Sequence, residues 1–70
     1  MELLSAIRRI IARKIVERKQ PYVATAMEVY SLTGIEPDVQ RDEAEVLVAK
    51  GVITTGRIYN GIYYKLKEQW

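Results

Sequence analysis

A chain of 70 residues that is 49% hydrophobic and 29% charged has the composition of one small globular domain, spanning 1–70, rather than of a disordered segment. It has no Cys and no His, which excludes disulfides and the usual zinc sites, and no apolar run approaches the roughly 18 residues that a membrane-spanning helix needs. The net charge of +2 hides a segregation: residues 1–19 carry six basic and two acidic side chains, residues 20–50 two and six, and residues 51–70 three and one.

The first helix is expected over about residues 2–19, because Leu3, Leu4, Ile7, Ile10, Ile11 and Ile15 recur at spacings of three and four on one stripe. Lys14 and Arg18 fall on that same stripe near its end, so the core is expected to thin there, with the lysine and arginine stems covering apolar neighbours. The stretch is Arg-rich like a transit peptide, but Glu2 and Glu17 interrupt it and its apolar face is needed for the core. Gln20-Pro21 breaks the helix, and Pro21-Tyr22-Val23 is short enough for a connector or an extended segment. Thr25-Ala26-Met27-Glu28 is a capping-box pattern that starts a second helix carrying Met27, Val29, Tyr30 and Leu32, and Gly34 supplies its left-handed end.

Residues 37–66 organise the remainder. Pro37 suits the first position of a third helix, and Gly51 stands where a left-handed cap is needed after Lys50. Asn60-Gly61, flanked by Ile, Tyr and Thr, predicts a type I′ hairpin turn. In that register Tyr59 faces Ile62, Arg57 faces Tyr64, Thr55 faces Leu66 and Ile53 faces Glu68. Alternation then puts Ile53, Tyr59, Ile62, Tyr64 and Leu66 on the inner face, and Thr54, Gly56, Ile58, Tyr63, Lys65 and Lys67 on a basic, aromatic outer face. Gly56 is a candidate bulge that would reset the outer half.

The expected fold is mainly α with a small β-hairpin: three helices plus a two-stranded wing. Thr33-Gly34-Ile35 ahead of the third helix, then Leu47-Val48-Ala49-Lys50-Gly51-Val52-Ile53, then Asn60-Gly61-Ile62-Tyr63-Tyr64-Lys65-Leu66, resembles the winged helix-turn-helix family over nearly the whole chain. The resemblance implies a small DNA-binding protein, a transcriptional regulator whose third helix enters the major groove while the wing touches phosphates or the minor groove. Its implied groove-facing positions are Asp38, Val39, Arg41, Asp42 and Glu45, and the candidate DNA contacts on this chain are Gln40, Arg41, Arg57, Tyr63, Lys65 and Lys67. The implied partner is double-stranded DNA.

Three of the five groove-facing positions are acidic, which opposes approach to a duplex whose non-specific affinity comes from phosphate attraction. In the family phase Gln40, Ala44, Leu47 and Val48 face inward and Val39, Val46 and Ala49 lie outside; a shifted phase buries Val39 and Val46 and exposes Gln40. The family phase leaves an apolar patch beside acids that suits a protein partner, so the alternative function is a protein-interaction or assembly module contacting through Val39, Asp42, Glu45 and Val46, including a homodimer. Lys65 and Lys67 also read as guards against edge pairing. The cations of the first helix, Arg8, Arg9, Arg13, Lys14, Arg18 and Lys19, read first as a solvated face.

Catalysis is not expected. No nucleophile stands beside a base, no Gly-rich loop cradles phosphate, and Asp38, Asp42 and Glu45 lack the converging oxygens of a dedicated metal site. No cofactor and no membrane partner are expected, and the location is expected to be intracellular, cytoplasmic or nucleoid-associated.

Overall fold

The computed structural model describes residues 2–59 and 61–67. Its elements are α1 (Leu3–Glu17), β1 (Ala24–Thr25), α2 (Ala26–Thr33), α3 (Pro37–Ala49), β2 (Ile53–Ile58) and β3 (Gly61–Leu66). The three helices gather on the face of a three-stranded antiparallel sheet, ordered β1-β3-β2, that carries Ile53, Tyr64 and Leu66.

The stripe of α1 supplies Leu3, Ile7 and Ile11 to the core, with Leu4 and Ile10 packed at its edge. Removing a side chain of this kind from water contributes about 1.5–3 kcal/mol, so these three and Ile53 make up much of what so small a core has to offer. The helix stops at Glu17, earlier than expected, because Arg18 turns left-handed (φ 56°). Its N–H and that of Lys19 donate to Ile15 O (3.2 Å) and Lys14 O (2.9 Å), closing the last turn. The core thins here as the charged stripe implies, and Ile15 is exposed.

The expectation of a two-stranded wing is corrected by β1, which pairs with β3 through Ala24↔Tyr64 and Thr25↔Tyr63. Two residues have no periodicity of their own to read, and they become a strand only because an edge of β3 is presented to them. Thr25 closes the strand and opens α2. Its hydroxyl accepts from the Glu28 N–H (3.2 Å), and the Glu28 carboxylate accepts from the Thr25 N–H (3.0 Å). Gly34 ends α2 at φ 78°, its N–H donating to Tyr30 O at 2.8 Å. Of the four apolar residues expected to define α2, Val29 alone is buried; Met27, Tyr30 and Leu32 are exposed.

Pro37 occupies the first turn of α3, and Gly51 follows it at φ 74°. Gln40 and Ala44 are buried and Leu47 packs on the core, while Val39, Val46 and Ala49 lie outside, so the phase left open by the sequence is resolved. Val48 departs from the expected inward position and is 43% exposed.

The hairpin register is shifted by two residues from the expected one. Ile53 pairs with Leu66, Thr55 with Tyr64, Arg57 with Ile62 and Ile58 with Gly61. Gly61 is therefore a strand residue (φ 151°), not the second residue of a type I′ turn. Asn60 and Glu68, on which the expected turn and outermost pair fell, lie outside the described residues. A shift of two preserves the faces, so Ile53, Tyr64 and Leu66 are buried as expected. Tyr59 is the exception, since it now sits at the turn and is fully exposed. Gly56 is not a bulge but a regular partner of Tyr63, whose ring lies over it: a Cβ on Gly56 would collide with the ring. Only glycine gives the ring that seat.

Candidate nucleic-acid interface and the outer face of α3

The joint between α2 and α3 is fastened from inside. Gln40, wholly buried, donates from Nε2 to Ala26 O (3.1 Å) and Ile35 O (2.8 Å), and its Oε1 accepts from the Tyr64 hydroxyl (2.8 Å). One side chain thus ties the start of α2, the turn, α3 and β3 together. Thr33 closes the same turn, its hydroxyl donating to Val29 O (2.8 Å) and accepting from the Ile35 N–H (3.0 Å). A buried amide is tolerated when its hydrogen-bonding capacity is used, and among the described residues no buried side-chain N or O atom lacks a partner. Burial pushes the Tyr64 hydroxyl above its ordinary pKa of 10.0. Gln40 therefore cannot serve as a DNA contact, correcting the expectation: no ligand reaches it. A signal was present, because Gln40 shares the inward row of Ala44 and Leu47 at helical spacing.

Of the other candidate DNA contacts, Arg57 and Lys67 are exposed, and Tyr63 and Lys65 are half-buried. Arg57 pairs with Ile62 and belongs to the face opposite that of Tyr63 and Lys65, so the hairpin carries positive charge on both sides. Lys67 is held by its backbone, the N–H donating to Val52 O at 3.1 Å. Arg41 is exposed on α3, 3.9 Å from the Asp38 carboxylate. With Thr55 and Ile62 it borders a groove of about 410 Å³ between α3 and the hairpin.

The remaining outer face of α3 is not basic. Val39 and Val46 are each about half exposed, two helical turns apart, with Asp42 between them and Asp38 and Glu45 along one edge. The four residues proposed as a protein contact, Val39, Asp42, Glu45 and Val46, are all exposed on this helix.

Arg9 and Arg13 lie beside α2. They line a second groove, of about 790 Å³, between α1 and α2, floored by Ile10, Met27 and Leu32. At its rim Lys14 projects from the apolar stripe and donates to Val23 O (2.6 Å) and the Glu28 carboxylate (2.7 Å), joining α1 to the residue before β1 and to the capping box. Burial alone would raise the Glu28 pKa; the hydrogen bond from Lys14, the Thr25 amide, the Lys14 charge and the Thr25 hydroxyl outweigh it and hold the carboxyl below its ordinary 4.5. The sequence pointed to the lysine stem but not to its partner, which comes from a residue fourteen positions away.

Among the described residues, no three His, Cys, Asp or Glu side chains stand together to hold a metal ion, and no helix is long and apolar enough to cross a membrane. Comparison with known proteins finds no matching family model, no matching curated protein and no matching solved structure.

Proposed function

We propose that this chain is a small winged-helix DNA-binding protein of the transcription-regulator type, acting inside the cell, without catalysis, and that its hairpin rather than α3 supplies the phosphate contacts. The observation that carries the reading is the hairpin: Arg57 is exposed on β2 and Lys67 directly after β3, beside a tightly braced α2–turn–α3 joint. Of the α3 positions, Arg41 alone is basic, so the helix adds at most one favourable phosphate contact, and its acids face repulsion from a duplex. The role of sequence reader in the major groove is accordingly weakened, and a hairpin-led, mainly backbone-directed grip is favoured.

The test is duplex binding as a function of salt. Affinity should fall with salt at a log-log slope of about 0.9 per phosphate neutralised. Arg57→Glu/Lys67→Glu should weaken binding for all sequences alike and lower that slope by about 1.8, the value for two contacts. No duplex binding at low salt refutes the reading, and unchanged binding by the double variant removes the hairpin from it. A second reading is favoured by the half-exposed Val39 and Val46: α3 is a protein contact surface.

A further inference from the structure

The outer face of α3 and the groove between α1 and α2 are complementary, and from that match we infer that α3 of one copy of this chain docks into the α1–α2 groove of another. The inference goes beyond DNA binding and gives the α3 contact surface a partner. The groove has an apolar floor left open by the fold, with Met27 59% and Leu32 41% exposed, and a rim bearing Arg9 and Arg13. The outer face of α3 has the converse character. Val39 and Val46 project two turns apart, about 10.5 Å along the axis, with Asp42 between them and Glu45 along one edge. Laid in the groove, the valines cover Met27 and Leu32 while the carboxylates reach the guanidinium groups on the rim, a helix-in-groove contact with matched charge.

A nucleic acid fits neither half. The α3 face is acidic, and the groove floor is apolar. An unrelated acidic helix would fit the groove equally in kind, but a second copy is the one partner whose complementary face is present in the same molecule at the same concentration. The contact joins two different surfaces, so it is heterologous and propagates head to tail unless the geometry closes it into a ring or a reciprocal pair.

Sedimentation of the full chain without nucleic acid tests this. Wild type should gain mass with concentration at low salt and lose most of that association near 1 M salt, where the Debye length is about 3 Å. Asp42→Asn/Val46→Ser and Arg9→Gln/Arg13→Gln, all at exposed positions, should each weaken self-association by about ten-fold or more. Mixed in equal amounts, the two variants should form a 1:1 pair, because each retains the face that the other lacks. Wild type that remains monomeric at low salt overturns the inference, as does equal self-association by wild type and both variants. Dilution of wild type followed by amide NMR keeps the test independent of variant folding: residues 38–46 should shift together with residues 9–13 and 27–32, and shifts confined to other segments overturn it. Because DNA is absent from every arm, failure here leaves the hairpin reading standing, and failure of DNA binding leaves this one standing.

Discussion

Removing the Tyr64 hydroxyl should test how much of the stability rests on the buried amide of Gln40. In Tyr64→Phe the core keeps its volume, but the wholly buried Gln40 loses the donor to its Oε1 at 2.8 Å. A buried acceptor left unmade costs about 1–3 kcal/mol. Gln40→Leu leaves the Tyr64 hydroxyl and the carbonyls of Ala26 and Ile35 without their partner, for about 2–5 kcal/mol. At roughly 0.05–0.15 kcal/mol per residue the whole domain has about 4–10 kcal/mol, so the second variant approaches unfolding. The double variant should cost less than the sum of the singles by about 1–2 kcal/mol, because each single strands the other's partner. Urea unfolding followed by far-UV circular dichroism reads all four corners of the cycle. A Tyr64→Phe midpoint equal to wild type, or singles that simply add, would refute the claim that this bond braces the joint.

Alkaline titration gives a further check on Tyr64. Its folded pKa lies above the unfolded 10.0, so its contribution is complete below pH 10 and is lost as pH rises through the folded value. Wild type should therefore lose stability more steeply than Tyr64→Phe above pH 10, measured by denaturant midpoint. Lys14→Met should destabilise by about 1–2 kcal/mol at neutral pH, since it removes a donor to Val23 O and Glu28. The Glu28 carboxyl is held below 4.5, so its contribution is present above that pH and is lost as pH falls through the folded value; the acid limb of a stability profile should be flatter in the variant. Gly56→Ala should swing the Tyr63 ring off the sheet at a cost of about 1 kcal/mol, because the ring atoms in the way are the mobile end of a side chain. NMR reads this directly: the Gly56 α-protons should be shifted upfield by the ring in wild type, and in Tyr63→Leu that shift should vanish.

Local chemistry was legible wherever a few adjacent residues settle their own conformation. The Thr25–Glu28 capping box, the left-handed ends at Gly34 and Gly51, Pro37 at the head of α3 and the Leu3–Ile7–Ile11 stripe all needed only spacing and stereochemistry. The inward face of the hairpin was legible for the same reason, since alternation is a property of the strand itself.

What required the tertiary structure was every choice between locally equivalent options. Asn60-Gly61 is a strong turn signal, yet the register two residues away gives the same faces, and it is the one that accompanies Tyr63 on Gly56 and Tyr64 against Gln40. The phase of α3 likewise depended on a glutamine being acceptable inside, which holds because two carbonyls and a tyrosine hydroxyl from three other segments converge on it. By itself the sequence determined the three helices, the hairpin and the sign of each charged segment, but not β1, which exists only where β3 offers it an edge. Only packing decided that Gln40 is a brace instead of a DNA contact, that Arg9 and Arg13 line a groove with α2, and that Val39 and Val46 remain in water, because each of these depends on partners distant along the chain.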